Sequence, residues 1–434
     1  ENNILRLLNL SGPVPSNYGS NYKPKTPRFV ARDLSKRPEL SQELGFFQYS
    51  CEYFQEPQML KNEIDEPGLQ EYSKRLWRRN RNENIIQETQ PQKEMAVYGD
   101  WSRKVSVINN KVQPKLIKFT QFESLLVLCD EKDNVSVWDW NSRNSVKEFL
   151  NGNPFGTKIT DQKFLNEDDN PLLLTGSLDG VIKIYKNFHV NTEEVELIAL
   201  WRALTDLLLT LKSSGLVSEW QQLRGLLFVL GDVKIIRIWD APRELCLVDI
   251  PARLTSLITS LTLDQVAGDV FIAGFDDGSI RVYDRRLDLR ELMVKTWRSK
   301  PGSSIKTGNG LIRNVHMQRG GFRELVSGSS DGYVNLWDIR LNDPVSTYVN
   351  GEKLIRCVDT HEHAPLFVTG SKTVKLWTTA GDVIAQLKNP NETYLRNATA
   401  NYLSNAVFHP HYMMLATNYN QDQHINIYSC TDTI

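Results

Sequence analysis

The sequence lacks the short motifs that mark several common catalytic and nucleotide-binding sites. No HExxH, P-loop or GxGxxG pattern occurs in its 434 residues, so the signatures of zinc proteases and nucleotide-binding folds are absent. The acidic turn at 167–169 has no glycine where an EF-hand calcium loop requires one. We therefore expect a protein that is not an enzyme, with no catalytic residue, no cofactor and no bound metal.

Cysteines are few and far apart. The chain has five, and no two of them form a CxxC pair: Cys51, Cys129, Cys246, Cys357 and Cys430. An odd, scattered set fits neither a disulfide framework nor a zinc ribbon. Free cysteines in strand-like segments are typical of a reducing compartment, so we expect an intracellular, cytoplasmic protein.

The chain also lacks an excess of either charge and any long apolar run. Lysine and arginine number 51 against 52 aspartates and glutamates, a net charge of -1, which argues against a nucleic-acid partner. The longest apolar stretch, 197–211, is interrupted by Arg202 and Asp206 and is too short and too charged to span a bilayer. We expect no transmembrane segment. Because the first residue is Glu1 and not methionine, we expect a fragment of a longer chain.

The first 95 residues differ from the rest. Residues 1–45 are rich in Pro, Ser, Asn and Lys, a composition that predicts a flexible linker. Residues 46–95 form a predicted docking segment and helix. Its aromatic cluster needs a surface to cover it, either this chain's own folded domain, which we favour, or another subunit: Phe46, Phe47, Tyr49, Tyr53 and Phe54.

A helix is predicted from about Leu69 to Gln90, where the sequence has no glycine or proline. Leu76, Trp77 and Ile85 are its candidates for packing. Its arginines have two interpretations, a solvated face, which we favour, or contact with phosphates or an acidic partner. Trp77 joins Phe46, Phe47, Tyr53 and Phe54 as a candidate docking residue.

From about residue 115 the sequence repeats itself seven times. Each unit contains an alternating strand that ends in an aromatic residue, often followed by Asp, and the aromatics are 40 to 54 residues apart. This spacing is close to the blade period of a β-propeller with loop insertions. We interpret the seven aromatics as structural residues that pack between blades: Trp138, Tyr185, Trp239, Tyr283, Trp337, Trp377 and Tyr428.

Tight turns precede these strands. Asp179–Gly180, Asp277–Gly278 and Asp331–Gly332 are hairpin turns of the Asp-Gly type. The sequence therefore predicts an all-β fold over residues 96–434, a seven-bladed β-propeller of the WD-repeat type, preceded by an extended, partly helical N-terminal segment. The usual Gly-His dipeptide of strong WD repeats is missing, so the repeats are degenerate.

The seventh unit ends too soon to supply its own outer strand. Ile425–Tyr428 is its third strand, and the chain stops six residues later. An alternating segment near 104–109 precedes the first blade and has the length of a strand. Because an unpaired edge leaves backbone groups unsatisfied, we expect this segment to close the ring.

Two further groups of residues, four histidines and three arginines, are candidates for binding. His361 with His363, and His409 with His411, lie between the first and second strands of their units, without a carboxylate or cysteine set at ligand spacing. We expect turn or surface histidines. The basic residues Arg281, Arg285 and Arg286 end the third strand of the fourth unit. A solvated blade edge is the favoured interpretation, and binding of phosphate or an acidic peptide is the alternative.

With these segments in view, the chain resembles the C-terminal propeller region of the raptor family, the scaffold subunits of the TOR kinase complex. The resemblance extends from about residue 46 to the end and departs near 300–310. It is carried by the segments 53–59, 76–82, 137–140, 151–154, 177–188, 213–222, 231–240, 277–286 and 406–411.

The resemblance implies a non-catalytic scaffold that helps bring substrates and regulators to a Ser/Thr kinase controlling growth in response to nutrients. Its implied partners are TOR kinase and its regulators. Its implied location is the cytoplasm and, through partners, the cytosolic face of the vacuole or lysosome. The alternatives are an adaptor propeller of a coat, ubiquitin-ligase or chromatin complex, and a propeller enzyme. The enzyme needs acidic or histidine side chains clustered at the central channel, and the sequence shows no such cluster.

Overall fold

The fold is that of a computed structural model of the chain. The structure describes residues 70–205, 215–222, 224–240, 245–252, 256–265, 268–299, 310–317, 325–351, 354–388, 402–420 and 422–430, and the backbone of 39–40. Apart from the backbone of 39–40, the predicted linker 1–45 lies outside these residues, and so do Phe46, Phe47, Tyr49, Tyr53 and Phe54.

Seven antiparallel sheets form the blades of a β-propeller. The first three blades contain β3 (Pro114–Phe119), β4 (Leu125–Asp130), β5 (Asn134–Asp139) and β6 (Asn144–Leu150); β7 (Ile159–Leu165), β8 (Leu172–Ser177), β9 (Val181–Lys186) and β10 (Glu196–Arg202); and β11 (Leu216–Gln221), β12 (Leu226–Gly231), β13 (Ile235–Asp240) and β14 (Leu245–Pro251). A short strand, β1 (Glu39–Leu40), pairs in parallel with β10 at the edge of blade 2.

The remaining blades repeat this order of strands. They contain β15 (Ile258–Leu263), β16 (Val270–Phe275), β17 (Ser279–Asp284) and β18 (Met293–Arg298); β19 (Ile312–Met317), β20 (Leu325–Ser329), β21 (Tyr333–Trp337) and β22 (Ser346–Val349); β23 (Cys357–Thr360), β24 (Leu366–Gly370), β25 (Val374–Thr378) and β26 (Val383–Leu387); and β27 (Leu403–Phe408), β28 (Met414–Tyr419), β29 (His424–Ser429) and β2 (Lys104–Asn109). The predicted seven-bladed propeller is confirmed.

Burial follows the position of a strand within its blade. Every residue of β4, β8 and β12 is buried, because these second strands have a neighbouring blade on both faces and therefore read as continuous apolar runs. The fourth strand of a blade lies at the rim. In β14, for example, most residues are exposed.

Glycines allow the tight turns between second and third strands. Gly180, Gly278 and Gly332 have φ angles of 81°, 76° and 101°, a left-handed conformation that is costly for residues with a Cβ atom. Each of these glycines donates its N–H to a carbonyl three residues earlier. The hairpins predicted from the Asp-Gly pairs are therefore present.

A repeated hydrogen bond joins neighbouring blades. The residue two positions before the blade aromatic donates to the carbonyl that follows the outer strand of the preceding blade. The five pairs are Lys183 to Asn151, Arg237 to Ala203, Arg281 to Ala252, Asn335 to Ser299 and Lys375 to Asn350. The same five acceptor residues use their own N–H groups to bond the turn between the second and third strands of their own blades.

Arg281 therefore has a structural role that its sequence context did not indicate. Its side chain is fully buried, its Nη1 donates to the Ala252 carbonyl at 2.5 Å, and its guanidinium carbon lies 3.8 Å from the centre of the Phe275 ring. The prediction that Arg281 belongs to a solvated edge, or docks a partner, is wrong. An inward-facing position on a third strand places its charge inside the blade interface.

Aromatic rings reinforce several of the same junctions. Tyr185, Trp239, Trp337 and Trp377 each contact a ring on the outer strand of the preceding blade, with centroids 4.8 to 6.5 Å apart. Tyr283 stacks instead on Phe271 of its own blade at 4.7 Å. Trp138 and Tyr428 contribute to the apolar clusters on either side of blade 7.

The ring closes between the two ends of the propeller sequence. Strand β2 pairs antiparallel with β29, and Ile108 is opposite Ile425. Ile108 is buried in one cluster with Phe119 of blade 1 and Ile427 of blade 7. Blade 7 thus takes its outer strand from the N-terminal side of the chain.

Within the described residues, two helices precede the closing strand. Helix α1 (Gln70–Thr89) begins and ends within a residue of the predicted limits, and α2 (Gln92–Tyr98) follows after Pro91. Ala96 and Trp101 are fully buried in a cluster formed by blades 6 and 7, and Trp101 contacts Phe408 edge-on at 6.1 Å. The helical segment is therefore attached to the ring.

Replacing Ile108 by alanine tests the closing strand. We expect Ile108→Ala to lower the free energy of unfolding by about 2–5 kcal/mol, because it leaves a cavity between blades 7 and 1. The exposed Lys104 of the same strand provides the control, and Lys104→Ala should stay within about 0.5 kcal/mol of the parent. Urea denaturation measures both. Equal losses in the two variants would contradict the contribution of buried Ile108 to the core between blades 7 and 1.

Replacing Arg281 by methionine tests the bond between blades. We expect Arg281→Met to cost about 1–3 kcal/mol, because the buried Ala252 carbonyl loses its donor. Arg286→Met changes an exposed arginine five positions later and should leave the thermal midpoint unchanged. A thermal midpoint for Arg281→Met that matches that of Arg286→Met would contradict the proposed role of the bond.

Candidate docking surfaces and central channel

Polar contacts hold helix α1 on the first two blades. Arg75 and Arg78 pair with the Asp169 carboxylate, and Arg78 also donates to the Asp169 carbonyl at 2.8 Å. The buried Asn82 donates to the Asp168 carbonyl at 2.9 Å, and Arg81 lies 3.6 Å from Glu123 of blade 1. For Arg75, Arg78 and Arg81 the favoured interpretation, a solvated face, is wrong, because the acidic turn after β7 binds the first two and Glu123 binds the third. Arg79 is exposed, as that interpretation expects.

Several large apolar side chains of the helical segment are exposed to solvent. Trp77 is 63% exposed and Tyr98 is 91% exposed, and Leu76 and Met95 are also exposed. The expectation that Leu76 and Trp77 pack is not met within the part of the chain that the structure describes; Ile85 is half-buried. The Arg81 guanidinium lies 5.3 Å from the Trp77 ring centre, so the exposed Trp77 ring has a positive charge next to it.

The remaining two arginines of the predicted basic run do not form a concentrated positive patch. Arg285 is half-buried over the Phe228 ring at 5.5 Å. Arg286 is exposed, but its guanidinium pairs with Asp284 at 2.6 Å. Of the candidate docking residues that the structure describes, Trp77 is the most accessible apolar side chain.

The two histidine pairs lie in turns, as predicted, but three of the four histidines are buried. His361, His409 and His411 are buried. The Nδ1 atoms of His361 and His409 each accept two backbone N–H groups, at 3.0 and 3.1 Å. Burial lowers the pKa of His361 to about 3 and that of His409 well below its usual range. These rings are neutral and fix the shape of their turns.

The other members of the pairs stack on one another. His363 and His411 have ring centroids 4.9 Å apart, and Phe122 of blade 1 stacks on His411 at 5.0 Å. Three planar rings therefore bridge blades 6, 7 and 1. Among the described residues, no group of His, Cys, Asp and Glu side chains is arranged to hold a metal ion.

One segment has the spacing of a hydrolase nucleophile turn. Residues 328–332 read Gly-Ser-Ser-Asp-Gly, a GxSxG match that sequence reasoning overlooked. Such a serine acts at the turn from a strand into a helix. Here the segment is the hairpin between β20 and β21, so the match belongs to the repeat and not to a catalytic site.

The first strands of all seven blades line a channel of about 450 Å³. Turn residues after these strands and Ile86 of α1 complete the lining. Titratable side chains come together there: Lys118, Lys163, Glu219, His316, Asp359 and Glu362. The expectation of no acidic or histidine cluster at the channel is therefore wrong. These residues are many positions apart in sequence. The only sequence signal for the cluster is that its members occupy similar positions in successive first strands.

Two acidic groups in the channel face one histidine. His316 Nε2 lies 3.5 Å from Glu362 Oε2, and Asp359 accepts the Phe408 N–H at 2.8 Å. Burial raises the pKa of Asp359 from its ordinary 3.8 to about 6, and the nearby Glu362 acts in the same direction while His316 opposes it. Folding therefore makes the Asp359 carboxyl harder to ionise than it is in the unfolded chain.

This shift predicts how stability depends on pH. Because the pKa is raised on folding, the stabilising contribution of Asp359 is present below about pH 4 and is lost as the pH rises through about 6. Relative to Asp359→Asn, the parent should lose roughly 2–3 kcal/mol between pH 4 and pH 7, since one pKa unit is about 1.4 kcal/mol. Urea unfolding of both proteins across this range measures the difference. A difference that does not change with pH would contradict the assignment.

Comparison with known proteins agrees with this architecture. Residues 240–424 match the family model described as Nucleolar protein 10-like, N-terminal domain, a β-propeller. The chain is 48% identical to the target of rapamycin complex 1 subunit KOG1 of Saccharomyces cerevisiae, over 94% of this chain and 27% of that protein. It is 40% identical to the target of rapamycin complex 1 subunit mip1 of Schizosaccharomyces pombe, over 98% of this chain and 32% of that protein.

A solved structure is similar to this chain in both fold and sequence. The crystal structure of Chaetomium thermophilum Raptor superposes with a TM-score of 0.72 at 42% identity, and the match covers 79% of this chain and 30% of that one. The chain thus spans less than a third of the length of these relatives. Within the described residues, no helix is long and apolar enough to cross a membrane. The propeller, its attached helices and these matches together show that the chain belongs to the raptor family and corresponds to its propeller region.

Proposed function

We propose that this chain is a docking module of a TOR-complex scaffold subunit and that it binds protein partners without catalysing a reaction. The observation that carries the proposal is the 48% identity to a target of rapamycin complex 1 subunit, over 94% of the chain. A match of this extent, repeated in a second fungal subunit, does not favour a coat, ubiquitin-ligase or chromatin adaptor.

The architecture supports a binding role. A ring of seven interlocked blades is rigid, and it presents two faces and a rim to different partners at once. The partners that we propose are TOR kinase and its regulators, and the proposed location is the cytoplasm and, through partners, the cytosolic face of the vacuole or lysosome. No role for nucleic acid, a cofactor or a metal forms part of the proposal.

The exposed aromatic side chains of the helical segment are the docking residues that we favour. Trp77 and Tyr98 leave large aromatic rings in solvent on a segment that is anchored to the ring by ion pairs and by buried Trp101. Exposed aromatics with a fixed backbone are typical of the residues that dominate protein interfaces.

Affinity capture tests the function. The tagged chain is used to recover partners from a cytosolic extract, and TOR kinase and its associated subunits are quantified by mass spectrometry. We expect TOR-complex subunits with the parent chain and at least about threefold less of them with Trp77→Ser/Tyr98→Ser, a loss typical of interface aromatics.

A matched variant controls for general loss of apolar surface. Phe155 is 56% exposed between blades 1 and 2, and Phe155→Ser should capture as much as the parent. Recovery of only a coat, ligase or chromatin complex would overturn the proposal, and so would recovery of no TOR-complex subunit. Equal losses from both variants would overturn the choice of docking surface.

A further inference from the structure

The side chain of Arg313 faces from blade 5 towards blade 6. Arg313 is the extra residue of a β-bulge in β19, the first strand of blade 5. The bulge residues at the same place in blades 2 and 4 are Thr160 and Thr259. Their hydroxyls donate to carbonyls on the first strand of the next blade, those of Leu216 and Ile312, at 3.0 and 2.6 Å. A residue at this bulge therefore lies against the blade that follows.

A second arginine lies on the blade 6 side of this junction. Arg356 directly precedes β23, the first strand of blade 6, and its guanidinium carbon is 3.6 Å from the centre of the Tyr402 ring. Stacking of this kind holds a guanidinium in place and leaves its N–H groups able to bond in the plane. Desolvation, followed by the positive charge of Arg356, lowers the pKa of Arg313, and the second effect requires the two guanidinium groups to be close.

Neither arginine has an acidic partner among the residues that the structure describes. Exposed arginines elsewhere on the propeller do have one, since Arg286 pairs with Asp284 at 2.6 Å and Arg340 pairs with Asp338 at 2.5 Å. Two guanidinium groups side by side repel each other, and an anion that binds both removes the repulsion. The junction of blades 5 and 6 therefore has the charge that attracts an anion.

A similar pair of cations, at the junction of blades 1 and 2, shares a carboxylate. Lys115 occupies the bulge of β3, and Lys158 directly precedes β7. Glu131 Oε1 lies 3.2 Å from Lys115 Nζ and 3.4 Å from Lys158 Nζ. Where two cations meet at such a junction, the fold can therefore hold a carboxylate between them.

Blade 5 has a serine where blade 1 has this glutamate. Counted from the last paired positions, the turn between the second and third strands is 130–134 in blade 1 and 329–333 in blade 5. Its second residue is Glu131 in one and Ser330 in the other. The Ser330 carbonyl accepts the Ile355 N–H at 3.2 Å, so Ser330 also borders blade 6. The turn of blade 5 thus lacks the carboxylate that serves the two lysines in blade 1.

We propose that Arg313 and Arg356 bind a carboxylate of an acidic segment in a partner protein. An Asp or Glu side chain of the partner lies between the two guanidinium groups, as Glu131 lies between Lys115 and Lys158. Guanidinium groups bind carboxylates through paired N–H donors. A carboxylate is favoured over a phosphate because it is the group that the chain itself places at the matching junction.

The site lies on the face of the ring away from helix α1. The helix contacts the turns that follow β3 and β7, at Glu123 and Asp169, whereas Arg313 and Arg356 are near the starts of first strands, which run in the same direction in all blades. The site deepens the proposed docking function by adding a second surface. Its test needs no TOR-complex subunit, so each proposal can fail without the other.

The probe is fluorescein-labelled hexaglutamate, and hexaglutamine with the same label is the neutral control. Binding to the full chain is measured by fluorescence anisotropy at low ionic strength, because salt weakens exposed ion pairs. We expect hexaglutamate to bind at least about tenfold more tightly than hexaglutamine, and Arg313→Gln/Arg356→Gln to weaken its binding by about tenfold. Equal binding of the two peptides to the parent chain would overturn the site.

A matched double variant controls for net charge. Arg286→Gln/Arg340→Gln also removes two positive charges, from exposed arginines that already have acidic partners. We expect it to bind hexaglutamate within about twofold of the parent, because a distant exposed pair contributes little. Equal losses from the two double variants would contradict the site and show a response to net charge alone.

A third variant fills the site from within the chain. Ser330→Glu places a carboxylate where blade 1 has Glu131, and we expect it to weaken hexaglutamate binding about as much as the loss of both arginines, without lowering the thermal midpoint. This variant keeps both arginines and the stack on Tyr402, so it tests the site even if Arg313→Gln/Arg356→Gln fails to fold. Unchanged binding by folded Ser330→Glu would overturn the assignment.

Competition separates a carboxylate from a phosphate. Glutarate and inorganic phosphate are added at equal ionic strength to the complex of the parent chain with hexaglutamate. Displacement by glutarate at concentrations no higher than those of phosphate supports the proposal. Displacement by phosphate at concentrations at which glutarate has no effect would overturn it and indicate a phosphate site.

Discussion

The contact between one blade and the next is the constraint on which this structure depends. A blade buries its second and third strands only because another blade covers each of its faces, so no blade is stable by itself. The repeated bond from a third-strand side chain to the carbonyl after the preceding outer strand fixes the spacing of neighbours. It satisfies a backbone acceptor that would otherwise be buried without a donor, and it recurs with Lys, Arg or Asn because each can reach the same carbonyl.

The fold could be predicted from sequence because its signals are local and repeated. Three signals recur with the period of a blade: Asp-Gly turns, alternating strands and the aromatic residue at the end of each third strand. Because all three agree, they favour a β-propeller over other folds. Helix α1 was predictable for a similar reason, since twenty residues without glycine or proline favour one backbone conformation. The position of the closing strand followed from the missing fourth strand of the last repeat.

The sites were predicted less well because they depend on which residues meet in space. Arg281 reads as part of an exposed basic run, but a third-strand position that faces the preceding blade buries it. The histidines at 361 and 409 read as surface residues, but the turns fold back so that their Nδ1 atoms accept backbone N–H groups. Lys118, Glu219 and Asp359 come from three different blades, and sequence order gives no sign that they share one channel.

The closing strand also has a consequence for the order in which the molecule is made. The partners Lys104 and Tyr428 are roughly 320 positions apart, so during synthesis β2 leaves the ribosome before every blade that follows it and pairs with β29, the last strand of the propeller sequence. Six blades are complete before the seventh can form, and through that period β2 has a free edge and Ile108 lacks its contacts with blade 7. A ring closed in this way folds late and as one unit. A truncation that removes β29 therefore exposes an apolar strand that lies at the other end of the propeller sequence.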